Sequence, residues 1–393
     1  MIKIKQILYC FLGGFVIVLS TFLWMSTTFF STVESKVMKW VEITSIISKH
    51  KNTPQPNECV FIDVSKTKML ISNDSTSLEH EIITNTEMLA EFFEYITKKK
   101  IQVKYVFCDI IFGVKDSTKY DQRLKKAANC LGEKFLTIDT ELDSEGLFKK
   151  NRLNLRSANA MVRVFQNNLY KIPLYNNEKD TFVPLKMYHD IEKGKFSRHF
   201  LYTYSYNEGI SFNTIIPKLY LKKSDIEEPY IKFGLGEFVQ DTREIGENTL
   251  ANDYFINSLN NKFILIGDFE SDIHNTYLNQ QPGTLILFNI YWNLKQKKHI
   301  VPILYLFVFQ IFSTFLLWFK FIKKEIKLTK PIFGKQIISS NYLTMTILIV
   351  LFSLIFNYIF DVVISTFHIL ILFANIDLIK KLKNKYITKK IKE

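Results

Sequence analysis

The chain has 393 residues, enough for one large domain or two smaller ones together with membrane-spanning helices. Lysine and arginine outnumber aspartate and glutamate by 51 to 38, which gives a formal net charge of +13. The excess lies almost entirely in lysine clusters beside apolar segments, and residues 31–299 are close to neutral. The positive charge therefore gives no reason to expect a nucleic-acid partner.

Three apolar stretches are long enough to cross a bilayer, which takes about 20 residues. Residues 7–26 and 300–319 carry no charge, and residues 337–376 are interrupted only by Asp361 and His368. The last stretch is about twice as long as one span, so we divide it at Asp361. The sequence therefore predicts one N-terminal and three C-terminal transmembrane helices, at residues 7–30, 300–319, 337–360 and 362–379.

The lysine clusters predict the orientation of these spans. They lie in residues 1–6, 320–336 and 380–393, which four spans place on one side, the cytoplasmic side by the positive-inside rule. The first span is expected to be an uncleaved anchor because no small-x-small site follows it, the alternative being a cleaved signal peptide. His368 is interpreted as a neutral histidine packed in the last hairpin, the alternative being a polar contact to another helix or to Asn357.

Beyond a membrane-proximal helix and linker at residues 31–57, three short apolar runs are typical of buried strands, and two helical patterns separate them. The runs occupy residues 59–64, 103–111 and 135–138. The first helix follows a capping box at residues 84–87, and the second begins at Asp121. This alternation predicts a mainly parallel sheet with right-handed crossovers. Asp63 and Asp109 then lie at its carboxyl edge, where open α/β sheets bind ligands.

The middle of the ectodomain, residues 142–261, has a weaker pattern that we interpret as an embedded β-rich subregion. Two runs predict strands of a hairpin that turns at Gly194, followed by a helix and another short strand. These four elements occupy residues 181–187, 200–206, 211–221 and 230–233. The many Phe and Tyr side chains are assigned to the sheet core and the lipid-facing surface. Cys59, Cys108 and Cys130 are expected to be free thiols, the alternative being a Cys59–Cys108 disulfide.

Residues 262–294 join a candidate ligand loop to the membrane. A buried strand at residues 263–266 runs into Gly267-Asp268, a polar loop with Asp272 and His274, and a helix that begins at Gly283. Carboxylates and one imidazole can bind small ligands or, as an alternative, anchor the loop by hydrogen bonds. They could also hold Ca²⁺, Mg²⁺ or Mn²⁺, but we assign no metal and no cofactor because no catalytic or nucleotide motif is present.

These blocks resemble a known family. The segments CVFIDV and VFCDIIFG, the helix from Asp121, and KFILIGD followed by Asp272 and a Pro-Gly pair are similar to the CHASE type two domain. The resemblance covers residues 58–298 and implies an extracytoplasmic sensory domain. Such domains commonly feed a kinase, cyclase or phosphodiesterase, yet only residues 380–393 follow the last predicted span. We therefore expect a separate output protein.

The sequence thus predicts a non-enzymatic sensory subunit in the inner (cytoplasmic) membrane, with its ectodomain on the periplasmic side. The candidate ligand-binding residues are Asp63, Asp109, Asp268, Asp272 and His274. Gly267 and Gly283 are the candidate coupling positions toward the spans. The expected partners are a small-molecule or envelope ligand, the output protein and the lipid bilayer, and homo-oligomerisation is left open. The alternative is a structural or scaffolding envelope protein that uses the same ectodomain to hold a partner.

Overall fold

The computed structural model divides the chain into two compact units, each described here by itself. The helix unit comprises Met1–Lys49, Phe196–Ile216 and Lys298–Glu393, and the sheet unit comprises His50–Lys195 and Pro217–Lys297. Whereas the sequence analysis treated residues 58–298 as one domain, residues 196–216 belong to the unit that holds the apolar helices. The structure describes residues 4–27, 39, 53–72, 80–113, 117–139, 150–160, 171–174, 181–245, 249–276, 279–322, 340–360, 368–369 and 372–373.

The sheet unit is built on a six-stranded sheet in which every neighbouring pair of strands is parallel. This confirms the predicted α/β class and parallel sheet. In spatial order the strands are β12 (Ile231–Gly234), β1 (Cys59–Asp63), β13 (Phe263–Gly267), β4 (Tyr105–Ile111), β5 (Phe135–Asp139) and β6 (Ser157–Asn159). Two short antiparallel pairs also belong to this unit, β2 (Lys68–Ser72) with β3 (His80–Thr84) and β14 (Ile273–Asn275) with β15 (Gln280–Pro282). The remaining strand of this unit is β7 (Ile172–Pro173).

Within the residues that the structure describes, six α-helices accompany the sheet, and both faces of its central strands are buried, as their nearly continuous apolar sequences require. The helices are α2 (Thr86–Lys98), α3 (Asp121–Asn129), α4 (Val183–Glu192), α5 (Leu235–Ile245), α6 (Thr249–Leu259) and α7 (Gly283–Lys295). On one face Phe92 of α2 packs against Phe238 of α5 at 5.0 Å between ring centroids. On the other face Phe263 packs against Phe288 of α7 at 5.7 Å. The α2 helix is capped by Asn85, whose side chain accepts from the backbone N–H groups of Glu87 and Met88, so the cap lies one residue after the Thr84 with which the predicted capping box begins.

Two predictions for the middle region were wrong. Residues 181–187, predicted as a strand, mostly belong to helix α4, whose Pro184 sits in the first turn where a missing N–H is tolerated. The helix ends at Glu192, the next residue Lys193 adopts φ 58°, and Gly194 packs against the Tyr188 ring with no room for a Cβ. Residues 211–221, predicted as a helix, contain parts of strands β10 (Gly209–Phe212) and β11 (Thr214–Ile215) and then an irregular segment.

The irregular segment takes its hydrogen bonds from a row of amide side chains on α7. Asn293 accepts from the Lys218 backbone N–H at 3.1 Å and donates to its carbonyl at 2.8 Å. Asn289 makes the same pair of bonds to Leu221, at 2.9 and 2.8 Å. Because both amides are buried, they replace the backbone partners that a helix would have supplied. The helical prediction was wrong because the side chains that bind this backbone lie about 70 residues away in sequence.

The helix unit contains α1 (Ile4–Met25), α8 (Ile303–Ile322) and α9 (Ser340–Phe360). Within the described residues, Gln6–Met25 and Ile303–Lys320 are long and apolar enough to cross a membrane. Only 22% and 28% of these windows are buried, whereas the core helix of a soluble protein would be mostly buried. The apolar segment Thr346–Phe360 of α9 is shorter than a span. The predicted span 362–379 lies outside the described residues except at 368–369 and 372–373, so three C-terminal spans remain a prediction.

Helices α1 and α8 pack through small residues. A Cβ at Gly13 would lie 2.6 Å from Leu317 Cδ1, and one at Gly14 would lie 2.7 Å from Thr314 Oγ1, so each glycine permits close approach. The Gln310 side chain donates to the Phe11 carbonyl of α1 at 2.9 Å. The expectation of an uncleaved anchor stays a prediction.

His368 makes the polar interhelical contact that the sequence analysis held as an alternative. Its Nε2 lies 2.9 Å from the Thr21 hydroxyl of α1, and its ring stacks on Trp24 at 6.0 Å. One partner of His368 is therefore the first apolar helix. Helix α9 contacts α8 through aromatic rings, with Phe312 and Phe352 stacked at 3.5 Å between centroids.

A three-stranded antiparallel sheet completes the helix unit. It consists of β8 (Phe196–Arg198), β9 (Tyr202–Ser205) and β10, in the order β10-β9-β8. Thr214 donates to the Met25 carbonyl at the end of α1 at 2.6 Å, and Val301 donates to the Ile210 carbonyl just before α8 begins at 2.8 Å. The predicted strand at residues 200–206 thus exists as β9, and its sheet holds the adjacent ends of the two apolar helices.

Candidate functional site

The carboxyl edge of the parallel sheet gathers most of the residues that the sequence singled out. The register pairs Asp63 of β1 with Gly267 of β13, and Ile266 of β13 with Cys108 of β4. Successive strand side chains alternate between faces. Asp63, Asp109 and Gly267 therefore share the face that α7 covers, at the end where loops leave the sheet.

Asp63 is fully engaged by neighbours from its own fold. Its Oδ1 accepts from the Ser65 backbone N–H at 2.9 Å, and its Oδ2 lies 3.0 Å from the Lys232 ammonium of β12. Burial opposes ionisation of this carboxyl, but these two donors outweigh it and hold its pKa below the usual range. Asp63 therefore has the contacts of a loop anchor, the alternative that the sequence left open.

Asp268 is used in a similar way. Its Oδ1 accepts from the backbone N–H groups of Glu270 and Ser271, at 3.2 and 2.7 Å, and its Oδ2 binds Lys68 at 2.9 Å. Burial would raise the pKa of Asp268, yet the Ser271 N–H and the Lys68 ammonium keep it low. This carboxylate closes the turn after β13, and we leave both Asp63 and Asp268 out of the candidate site.

Asp109 lies at a β-bulge and is turned toward helix α7. The register between β4 and β5 shifts between Cys108 and Ile111, and the Thr137 hydroxyl bonds the carbonyls of Cys108 and Ile110 at 3.0 and 3.1 Å. Bulges re-aim side chains and are common beside functional sites. Here the Asp109 Oδ2 accepts from the hydroxyl of Thr284, in the first turn of α7, at 2.8 Å.

Gly267 makes this contact sterically feasible. A Cβ at position 267 would overlap the Thr284 hydroxyl, so a side chain there would displace the donor of Asp109. Burial and the neighbouring Asp272 carboxylate raise the pKa of Asp109 to about 7, although Thr284 and His274 act in the opposite direction. Carboxyl groups with such pKa values cluster at functional sites.

Asp272 and His274 face the same helix start. His274 Nε2 lies 2.9 Å from Asp272 Oδ1, and both side chains are 44% exposed. The hydrogen bond that the protonated His274 ring donates to the Asp272 carboxylate is the main reason that the pKa of His274 is raised. The β14–β15 pair folds this loop back so that the Gly283 N–H donates to the Asp272 carbonyl at 3.0 Å. A Cβ at Gly283 would overlap the Asp272 carboxylate.

We name the set Asp109, Asp272, His274 and Thr284 the edge site. It combines two carboxylates, an imidazole and a hydroxyl at the N-terminal end of α7 and on the loop beside it. The described part of the chain contains no group of three His, Cys, Asp or Glu side chains placed to hold a metal ion. The arrangement suits a small ligand that carries hydrogen-bond donors or a positive charge. The carboxylates would accept its hydrogen bonds and pair with its charge.

Thr284 was not predicted as a site residue, although it directly follows Gly283, the predicted start of the helix. A hydroxyl in the first turn of a helix is common, so only the non-local contact to Asp109 distinguishes it. Also missed was a polar cluster at the amino end of the sheet, where Tyr105 donates to Asp190 at 2.7 Å and Arg156 pairs with the same carboxylate. Its charges are mutually satisfied, which is typical of a structural link between β4 and α4.

The thiols belong to no site. Cys59 and Cys108 are buried and free, on strands β1 and β4 that β13 separates, and burial raises the pKa of both. This agrees with the interpretation as structural thiols. Cys130 is free and exposed.

Comparison with known proteins adds no assignment: no protein-family model, no curated protein and no solved structure matches the chain.

Proposed function

We propose that the chain is a membrane-anchored sensory subunit that binds a small ligand at the edge site and signals to a separate output protein. The observation that carries the proposal is the convergence of Asp109, Thr284 and the Asp272–His274 pair on the first turn of α7. Two glycines clear the space for these contacts, and Asp272 and His274 remain accessible to solvent.

The ligand that suits this site is a small molecule with amino or hydroxyl donors. Asp272 offers a half-exposed carboxylate, and Asp109 can accept or donate a proton near neutral pH. Hydrogen bonds to charged acceptors are stronger than those between neutral groups. We assign the edge site to recognition and not to catalysis.

The route to the membrane is the chain itself. Helix α7 begins at the edge site and ends at Lys295, and after Lys297, which adopts φ 56°, the chain enters α8 at Ile303. The two helices are thus separate, with a short connector between them. A ligand shifts an equilibrium only if it binds one conformation better than another. We assign that difference to the first turn of α7, with Gly267 and Gly283 as the coupling positions.

The membrane location rests on the apolar helices. Phe15 on α1 is 57% exposed and Phe307 on α8 is 64% exposed, and such a surface requires a lipid or protein cover. The lysine distribution supports four spans with a periplasmic sheet unit, and the similarity of the strand-end motifs to the CHASE type two domain supports a sensory role.

The test uses the full chain in lipid nanodiscs and a panel of amino acids, diamines and monosaccharides. We expect at least one compound to raise the melting temperature of the wild type and to leave Asp272→Asn unchanged. The matched control is Asp241→Asn on the exposed surface of α5, which should respond like the wild type. If no compound of the panel stabilises the wild type, the sensory proposal loses its support.

The alternative, a scaffolding envelope protein, predicts a different result. Purification from native membranes would then recover an envelope or secretion assembly with the chain, and Asp272→Asn would not weaken that association. Recovery of a signalling enzyme instead favours the sensory subunit.

A further inference from the structure

The three-stranded sheet of the helix unit carries an aromatic surface that neither the edge site nor the apolar helices explain. Tyr204 is 39% exposed, Tyr206 is 64% exposed, and Phe200 at the β8–β9 turn is 86% exposed. Large apolar side chains exposed to this degree and grouped on one element mark an interaction surface.

The strand register shows which face of the sheet these rings occupy. Tyr202 pairs with Phe212, and Tyr204 pairs with Ile210, so these four side chains share one face. On the opposite face Thr203, Ser205 and Ser211 are buried. The exposed face is therefore the aromatic one, and the polar one is covered.

The aromatic face is continuous with the end of α1. Phe212 packs against Phe22 in the last turns of that helix, at 4.8 Å between ring centroids. The turn that carries Phe200 is attached to the same helix end, because Ser26 donates to the Leu201 carbonyl at 3.1 Å. Val301, two residues before the exposed Ile303 at the start of α8, donates its backbone N–H to the Ile210 carbonyl of β10. Both apolar helices therefore end at this sheet.

We propose that this sheet is a membrane-interface module whose tyrosine face and Phe200 turn contact the lipid bilayer that α1 and α8 cross. Aromatic rings concentrate at the level of the lipid headgroups, where their apolar bodies are buried and their polar groups stay hydrated. Phe200, which has no polar group, would enter the acyl region, and the tyrosines would lie at the boundary. The module would fix the adjacent ends of both helices at a defined depth. This inference rests on the proposed membrane location and is independent of any ligand.

Spin labels in the full chain, reconstituted in nanodiscs of phosphatidylcholine and phosphatidylglycerol, test the inference. Each single cysteine is introduced with Cys130→Ser, because the three other cysteines are buried. A label at Phe200→Cys should collide more with oxygen, which concentrates in lipid, than with a water-soluble nickel chelate. Tyr254→Cys, at a 56% exposed aromatic of α6, is the matched control and should show the reverse preference.

A third label, at Phe15→Cys on α1, separates this inference from the membrane proposal. If position 15 is oxygen-accessible and position 200 behaves like position 254, the interface module is refuted while the membrane location stands. If position 15 also prefers the nickel chelate, the membrane location itself fails. Protection of position 200 from both reagents would show a protein partner there and would overturn the assignment to lipid.

Discussion

Asp109 provides the sharpest test of the site geometry. Burial and Asp272 raise its pKa to about 7, whereas an aspartate in an unfolded chain titrates near pH 4. Between these two pH values the folded chain holds a proton that the unfolded chain has lost, so stability falls as the pH rises and levels off above about 7. From about pH 5 to about pH 7 the loss is about 2 to 3 kcal/mol, at about 1.4 kcal/mol per pH unit. This is an upper value, because the carboxyl keeps some solvent contact.

The substitution Asp109→Asn removes this titration and keeps an acceptor for the Thr284 hydroxyl. We expect the variant to melt above the wild type at pH 8 and to approach it at pH 5, with a change in the difference of about 5 °C for a unit of this size. Thermal unfolding of the full chain in detergent, followed by intrinsic fluorescence to which the buried Trp292 contributes, measures both curves.

His274 affects the same experiment in the same direction and needs its own control. Its pKa is raised in the folded chain, so the stability that its charge contributes is present below its unfolded pKa and is lost as the pH rises through the folded value. His274→Gln should therefore keep the Asp109 component. Parallel curves of melting temperature against pH for the wild type and Asp109→Asn would refute the reasoning.

Three further predictions concern packing and hydrogen bonding. Gly267→Ala should destabilise the chain by about 1 to 3 kcal/mol, because its Cβ meets a fixed hydroxyl, whereas a Cβ at Gly236 has its nearest neighbour at 3.4 Å and should be tolerated. Asn289→Ala strands a buried backbone N–H and C=O and should cost about 2 to 4 kcal/mol, measured by thermal unfolding. A Gly13→Cys/Leu317→Cys pair should form an intrachain disulfide on mild oxidation, detected by mass spectrometry, and its absence would contradict the α1–α8 packing.

The parallel sheet could be predicted because its strands are buried on both faces and therefore have short, nearly continuous apolar sequences. Residues 59–64, 103–111 and 135–138 carry that pattern locally, and the helices between them leave only a parallel arrangement. The strand at residues 230–233 was also predicted, as β12, but not its place beside β1 at the edge of the sheet. Strand order depends on non-local pairing, which a local pattern does not contain.

The candidate site was predictable as a place but not as a set of contacts. The carboxyl edge followed from the strand ends, and Asp109, Asp272 and His274 do meet there. Asp63 and Asp268 show the same local pattern, yet each is bound by a lysine from elsewhere in the fold. The sequence therefore predicts where an acidic residue after a strand lies. Its contacts with the rest of the fold decide whether it anchors a loop or faces a ligand.

One of the two wrong element assignments concerns a segment whose hydrogen bonds come from a distant part of the chain, and the other concerns a short apolar run. The backbone of residues 216–222 is bound by the side chains of Asn289 and Asn293, and the local sequence of this segment does not indicate those contacts. The residues around Pro184 form a short apolar run, Phe-Val-Pro-Leu, which is typical of a buried strand, although these side chains also fit a helical face. Periodicity alone does not separate a strand from a helix in so short a run.

Hydrogen exchange of the full chain in nanodiscs tests the central claim most directly. It would be measured with and without a compound from the panel that raises the melting temperature. The account predicts slower exchange in residues 267–276 and in the first turn of α7, together with a changed rate in residues 296–302 that lead to α8. Slower exchange confined to other parts of the sheet unit, or protection of the edge site with no change in residues 296–302, would contradict the proposed route from ligand to membrane.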